Sequence, residues 1–335
     1  MWKTPGFTSA PTVINNHSQS MWTKKGLIYK TDGQRPFSRT HAQVPFAFPL
    51  NEERLRVYFA TRDENRASST SFVELDANDL SKVLYVHDKP CLTKGAVGMF
   101  DETGAMPSWF LKRGDEIWLY YTGWNKSETA WYRLGIGLAI SRDGGLTFER
   151  AYDGPLLDRS IYDQVWVAQP CVMVETNTDG TERWRMWYLS CTKIEIINNH
   201  PEPFYDVKYA ESKDGITWER KGIVCVGYNE FTDAIGRPAV VKDRDLYKMY
   251  YSYRSATDFR TSVEKSYRIG YAESKDGITW ERKDEQAGIE RSADGWDSAM
   301  MDYCHLFRHQ GKWTMLYNGN GFGAAGFGYA VQESN

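Results

Sequence analysis

The stretch Tyr209-Ala210-Glu211-Ser212-Lys213-Asp214-Gly215-Ile216-Thr217-Trp218-Glu219-Arg220 recurs almost unchanged as Tyr271-Ala272-Glu273-Ser274-Lys275-Asp276-Gly277-Ile278-Thr279-Trp280-Glu281-Arg282. Alternating apolar and polar residues on either side of an Asp-Gly pair are the pattern of two antiparallel strands joined by a tight turn. Looser copies lie at Leu138 to Phe148, with Asp143 in the turn, and at Tyr329 to Ser334. Upstream of each copy, or at the corresponding place, is an aromatic-rich alternating run: Leu55 to Arg62, Ile117 to Trp124, Trp184 to Cys191, Leu246 to Arg254 and Trp313 to Asn318. Before each run sits a short apolar strand anchored on Pro45, Pro107, Pro170, Pro238 and Tyr303, at spacings of 62, 63, 68 and 65 residues. A fixed period of this kind marks a repeat architecture, and here it is walked five times.

Each repeat reads as an inner proline strand, an aromatic second strand, a third strand of the Tyr-Ala-Glu-Ser type and an outer strand of the Ile-Thr-Trp-Glu-Arg type. Four antiparallel strands per radial repeat form the blade of a propeller. The expected fold is therefore all-β, a five-bladed β-propeller in one domain over residues 1–335, with blades near 41–90, 100–155, 165–226, 234–290 and 298–335. The last repeat lacks its fourth strand. Met21 to Tyr29, containing Trp22-Thr23-Lys24-Lys25-Gly26-Leu27-Ile28, resembles the outer-strand sequence Trp218-Glu219-Arg220-Lys221-Gly222-Ile223-Val224. Segment 21–29 is thus expected to supply the outer strand of the last blade and close the ring, leaving no orphan edge.

Composition narrows the ligand. The 335 residues are 41% hydrophobic and 15% aromatic, with 13 Trp and 21 Tyr, which is ample for a packed core. Forty-one basic against 44 acidic residues, with no long run of either sign, argue against nucleic acid or an anionic membrane as partner and for a carbohydrate. Met1 to Gly6 leads into polar residues with no apolar signal segment, so a cytoplasmic location is expected. Cys91, Cys171, Cys191, Cys225 and Cys304 lack CxxC spacing and read as buried reduced thiols. Oligomeric state is not legible.

Strand alternation sorts the polar residues onto two faces. Asp143, Asp214 and Asp276 fall in turns between third and outer strands, where an Asp before Gly braces a hairpin. Their repetition speaks for structure, since an active site needs unlike residues converging once. On the opposite face, Asp101, Asp163, Asp233 and Asp297 precede the inner-strand anchors by 6, 7, 5 and 6 residues. Arg62, Asp63, Trp124, Tyr253, Arg254, Asn318 and Asn320 leave the second strands toward that same face, and His41, Gln43, Gln169, Arg237 and Asp302 sit on the inner strands near the axis. Carboxylates, amides, guanidinium groups and aromatic rings at a concave mouth are the materials of a sugar site.

On these motifs the chain resembles the five-bladed propeller glycosidases: the arabinanases and β-xylosidases of glycoside hydrolase family 43, the invertase and levansucrase group, and the β-mannoside phosphorylases. The turn sequence is similar to the Asp-box of sialidases. His41-Ala42-Gln43, the loop Phe100 to Ser108, and Asn318-Gly319-Asn320-Gly321-Phe322-Gly323 look most like glycosidase-like proteins of bacterial surface-polysaccharide biosynthesis. The resemblance implies work on a glycan, with Asp101 standing where the hydrolases keep a blade-two carboxylate and the phosphorylases their single Asp. The chain departs from the hydrolases at blade one, where His41-Ala42-Gln43 replaces the first Asp, and at blade three, which has no proton-donor Glu motif. Some relatives hold calcium in the channel, but no ligand motif for it, or for any other metal or cofactor, is present.

Glycoside cleavage needs an acid and a second carboxylate, ~5–5.5 Å apart for retention or ~6.5–9.5 Å for inversion. The sequence nominates Asp101 as acid or base, Asp297 as its partner, and Asp233 with Arg237 as positioning groups. A phosphorylase or sugar-nucleotide-dependent transferase would instead use Arg62, Arg237, Arg254 and His41 to hold an anion. A noncatalytic glycan-binding propeller is the third reading, and fold alone does not separate the three.

Overall fold

The computed structural model describes residues 22–229 and 232–333. Residue 21 of the expected closing strand and residues 334–335 of the last repeat lie outside them. The strands, in chain order, are β1 (Trp22–Tyr29), β2 (Thr40–Pro49), β3 (Arg54–Arg62), β4 (Ser68–Asp76), β5 (Asp79–Val86), β6 (Gly104–Arg113), β7 (Glu116–Ser127), β8 (Trp131–Ser141), β9 (Glu149–Arg150) and β10 (Trp166–Thr176). They continue as β11 (Glu182–Ile197), β12 (His200–Ser212), β13 (Trp218–Val226), β14 (Ala234–Asp243), β15 (Leu246–Arg254), β16 (Arg268–Ser274), β17 (Glu281–Arg282), β18 (Asp302–His309), β19 (Lys312–Asn318) and β20 (Phe327–Gln332). The only helical turns among the described residues are two short 3-10 segments, so the protein is all-β.

Antiparallel pairing groups the strands in fours. β2 to β5 form one group, β6 to β9 a second, β10 to β13 a third and β14 to β17 a fourth. The fifth is β18, β19 and β20 with β1 as its outer strand, in the register Trp22 to Gln332 and Tyr29 to Phe327. The inner strands pack in the order β2, β6, β10, β14, β18 and back to β2.

Second strands such as β3 and β15 are buried on both faces, which is why they read as aromatic runs rather than strict alternations. Outer strands such as β13 are half exposed and carry charges, as edges do. One contact recurs between neighbouring groups: Tyr58 Oη donates to Gly145 O at 2.9 Å, Tyr120 Oη to Gly215 O at 2.7 Å, and Trp187 Nε1 to Gly277 O at 2.8 Å. The aromatic second strands of the first three groups are thus each pinned to the Asp turn of the next. The turn glycine adopts φ of +74° at Gly215 and +72° at Gly277, which lets its carbonyl face the incoming donor.

The turns themselves are built as expected. Asp214 Oδ1 accepts the N–H groups of Ile216 and Thr217, both at 2.8 Å, and the Ser212 hydroxyl; Asp276 repeats this with Ile278, Thr279 and Ser274. At Asp143 burial alone would raise the pKa, but bonds from Thr147, Ser141 and Leu146 outweigh it and bring the pKa down to about 2. Because the folded pKa lies below the unfolded value of about 3.9, this contribution is whole above about pH 4 and is lost as pH falls toward 2. We expect Asp143→Ala to cost about 1 kcal/mol at neutral pH in urea unfolding, and Asp143→Asn to flatten the acid limb of the stability curve. An unchanged acid limb would count against the turn's role.

Candidate functional site

The loops that lead into the inner strands carry a second repeated device. Asp101 is fully buried and accepts a hydrogen bond from Tyr121 Oη at 3.0 Å and an ion pair from Arg150 at 2.7 Å. Asp163, also fully buried, accepts from Tyr188 Oη at 3.2 Å and pairs with Arg220 at 2.8 Å. Asp297, 1% exposed, accepts from Tyr317 Oη at 3.1 Å and pairs with Lys24 of the outer strand β1 at 2.8 Å. In the fourth group Asp284 takes this place, bonded to Tyr251 Oη and to Arg282 Nε at 2.7 Å. A carboxylate, a second-strand tyrosine and an outer-strand cation therefore recur in four groups.

The sequence assigned Asp101 and Asp297 as an acid and its partner across one cavity; in the structure each carboxylate is buried and paired with a cation of its own strand group. Asp233 is not one of the four braced carboxylates. Its carboxylate accepts the Ala256 N–H at 2.6 Å and the Ser255 hydroxyl at 3.2 Å, bracing the loop after β15. Three residues assigned to the ligand also brace backbone. Asp63 accepts the N–H groups of Asn65 and Ala67. Asn318 ties the last inner group to the first through Val44 N and Ala42 O, and Asn320 holds the Ala299 and Met300 N–H groups. Tyr253 lies near the Arg282 guanidinium, 5.5 Å from its ring centre.

The remaining nominated residues gather at the start of the inner strands. Four of these strands bulge at a non-glycine residue with positive φ: Val44 (+56°), Gln169 (+50°), Arg237 (+52°) and Tyr303 (+54°). Backbone held in the left-handed region off glycine is strained and persists only where its surroundings fix it. Three of the four N–H groups are fixed by the neighbouring second strand: Val44 by Asn318 Oδ1 at 2.8 Å, Gln169 by Thr122 Oγ1 at 2.9 Å and Tyr303 by Ser252 Oγ at 3.0 Å. His41, at φ +65°, precedes the first bulge.

The accessible layer consists of the half-buried His41, Arg62, Trp124, Tyr132, Gln169 and Tyr303. Arg62 donates from Nε to Gln43 Oε1 at 2.9 Å, which leaves its Nη groups without a partner among the described residues. Burial, with the Arg62 charge adding to it, lowers the His41 pKa to about 4, so this imidazole is neutral at pH 7. Tyr303 is acted on by Asp302, Tyr205, Arg62 and Tyr132, which come from four different strand groups. Beneath lie Arg237, Arg254, Tyr205, Tyr267 and Asp302. Arg237 is fully buried and donates Nη1 to Ser108 O at 2.7 Å, while Nε and Nη2 have no partner among the described residues. Burial lowers its pKa to about 10, which keeps it charged at neutral pH. Asp302 is fully buried, with Oδ1 on the Tyr303 N–H at 2.7 Å and Oδ2 without a hydrogen-bond partner among the described residues; burial outweighs the effects of Ser252, the Tyr303 N–H and the arginine charges and raises its pKa to about 7.

Sequence reasoning missed Tyr132 and Tyr205, on the third strands β8 and β12, and Tyr267, just before β16, and it missed the brace residue Asp284. The signal for the braces was present: Phe148-Glu149-Arg150, Trp218-Glu219-Arg220, Trp280-Glu281-Arg282 and Trp22-Thr23-Lys24 all end on a cation. The inner layer sets the carboxyls of Asp302 and Glu202 beside Arg237 and Arg254, a donor set that does not fit calcium, and no group of three or more His, Cys, Asp or Glu among the described residues could hold a metal.

Removing Asp101 takes the carboxylate from the half-buried Arg150 guanidinium and the buried Tyr121 hydroxyl, so Asp101→Ala is expected to lower unfolding free energy by about 3 kcal/mol. Asp302 behaves oppositely. Its folded pKa lies above the unfolded value, so its ionisation costs stability as pH rises from about 4 to 7, and Asp302→Asn is expected to match wild type near pH 4 and exceed it above pH 7. Urea titrations at both pH values check this; a destabilised Asp302→Asn at pH 8 would contradict it.

No family model matches the sequence. The fold is shared with solved structures of low sequence identity. BT0996, solved as an RGII complex, matches with a TM-score of 0.69 at 18% identity over 94% of this protein and 92% of that one. A structure from work on the GH130 mannoside phosphorylases, some of them glycoside hydrolases acting on β-1,2 mannosidic linkages in Candida mannan, matches at 0.65 and 12% over 95% of both proteins. A thermostable family-43 glycoside hydrolase matches at 0.59 and 16% over 87% and 88%. At these identities the likeness establishes fold, which is that of the propeller glycosidases. Two Mycobacterium tuberculosis proteins, Uncharacterized protein MT1551 of strain CDC 1551 / Oshkosh and Uncharacterized protein Rv1502 of strain ATCC 25618 / H37Rv, are each 35% identical over 314 residues, covering 93% of this chain and 99% of theirs. With the whole repeat array matched end to end at that identity, this chain belongs to the family of Rv1502 and MT1551.

Proposed function

We propose that this protein is a five-bladed propeller enzyme that acts on a glycan in its central mouth by phosphorolysis or by transfer from a sugar phosphate. The blades are the five strand groups, with β1 completing the last. The observation that carries the reading is the charge at the axis. Arg237 and Arg254 both act on the buried carboxyl of Asp302, and Arg62 acts on the adjacent Tyr303, while Asp101, Asp163, Asp284 and Asp297 are paired in braces. The other acid nearby, Glu202, is held by Arg260 at 3.2 Å, with His200 2.9 Å away. Hydrolysis by two carboxylates lacks its second member. A reaction whose second reactant is itself an anion does not need one.

In phosphorolysis, a phosphate oxygen bonds the anomeric carbon as the glycosidic C–O bond breaks, and the departing oxygen takes a proton. Asp302, protonated near neutrality, is suited to give that proton. Arg62, with unpaired Nη groups, is suited to hold the phosphate, and Tyr132 and Tyr303 offer hydroxyl donors and ring faces to the sugar. The fold likeness to mannoside phosphorylases supports the reading, and the 12% identity leaves the sugar open.

Incubation with a disaccharide panel that includes β-1,2-mannobiose, with and without orthophosphate, tests it. Sugar 1-phosphate formed only with phosphate is expected, lost by roughly a hundredfold in Asp302→Asn, the scale of a missing general acid, and with at least tenfold weaker phosphate dependence in Arg62→Ala. Equal turnover without phosphate would favour hydrolysis. Glycan binding without turnover would favour a noncatalytic propeller.

A further inference from the structure

The third strand group carries an arm that the others lack. β11 and β12 run to 16 and 13 residues and pair out to Ile197 and His200, joined by Asn198 and Asn199 at φ +51° and +60°. Two consecutive residues of positive φ make the tight turn favoured in hairpins, and asparagine tolerates it well. The arm therefore stands as an ordered wall on the mouth face. Its end meets Trp131, the first residue of β8, whose ring centre lies 3.8 Å from that of His200 at an interplanar angle of 66°. His200 Nδ1 lies 2.9 Å from Glu202 Oε1, Oε1 accepts a hydrogen bond from Arg260 Nε at 3.2 Å, and Glu202 Oε2 lies 3.9 Å from Arg254 at the site.

Two features of Trp131, at the end of the turn between β7 and β8, are unfavourable for stability. It is 52% exposed, although an indole is a large apolar surface to leave in water. It also holds φ at +67°, where a bulky side chain is an outlier and glycine or asparagine would relieve the turn. Strain and exposure together at one rigidly propped aromatic residue are the signature of a binding surface kept at the expense of stability. The next residue, Tyr132, faces inward and is acted on by Tyr205 and Arg254, so the exposed indole stands at the rim of the same mouth.

We propose that Trp131, propped by His200 and Glu202, is a stacking platform for a further ring of an oligosaccharide whose terminal ring occupies the mouth. The exposed indole face carries partial negative charge and matches the C–H face of a pyranose. The proposal rests on the glycan reading of the mouth and adds that the substrate is a chain of rings rather than a monosaccharide.

A glycan array probed with wild type, Trp131→Gly and Trp131→Phe, followed by calorimetry on retained glycans, tests it. Wild type is expected to retain glycans of two or more rings over the corresponding monosaccharides. Trp131→Gly is expected to lose tenfold or more in affinity for the longer glycans while its melting temperature rises by roughly a few degrees as the strained φ is relieved. Trp131→Phe should recover part of the affinity. A melting temperature that falls in Trp131→Gly with affinity unchanged would make Trp131 a packing residue, and equal retention of monosaccharides and longer glycans, or retention of none, would overturn the platform. Orthophosphate binding to the wild type, measured separately, reports on the anion reading of the mouth, so either proposal can fail alone.

Discussion

The buried brace of carboxylate, tyrosine and cation is the constraint on which the rest of this molecule depends. At Asp101, Asp163 and Asp297 it ties the loop that delivers an inner strand to the second and outer strands of the same group. A charge taken out of water at that depth is tolerable only with an opposite charge and a hydrogen bond in place, so the loop has one position rather than many. In the last group the cation is Lys24, delivered by the strand nearly three hundred residues earlier in the chain. The brace thus helps to seat β1 and to complete the fifth group.

That constraint also shapes the chemistry. Hydrolysis of a glycoside by the two-acid route needs two carboxylates facing one cavity. Here the loop carboxylates are buried in the strand groups and meet cations, while arginines are presented by the inner strand β14, at Arg237, and by the ends of the second strands β3 and β15, at Arg62 and Arg254. What is left at the axis is Asp302, kept near a neutral pKa by burial, beneath a layer with unpaired guanidinium and hydroxyl donors. The bulged, strained starts of the inner strands hold those groups in place, and the side chains that fix the bulges belong to the neighbouring strand groups. The site is therefore assembled by contact between groups, not within any one of them.

The fold was legible because its signals are local and repeated. The Asp-Gly turns, the aromatic second strands and the outer-strand sequence at Trp22 to Tyr29 each needed only a few consecutive residues to recognise. The site was less legible because its partners are far apart in the chain. Asp101 and Arg150 are separated by 49 positions and Asp297 and Lys24 by 273, so an acid in an apolar loop gave no sign of its cation. Counting back from the inner-strand anchor selected Asp233 in the fourth group, whereas the brace there is supplied by Asp284 from the loop after the outer strand. Arg62, Arg237, Arg254 and Asp302 were marked by position alone. Tyr132, Tyr205 and Tyr267 escaped because third strands were read only as carriers of the turn motif.

The central claim is that the carboxylates at the mouth are structural and its axis is an anion site. A crystal structure of the protein soaked with orthophosphate tests this most directly. The account expects phosphate density against Arg62 at the mouth, with Asp101 and Asp297 still paired to Arg150 and Lys24. Phosphate absent from the mouth at saturating concentration, or Asp101 and Asp297 turned from their cations toward a shared cavity, would contradict it.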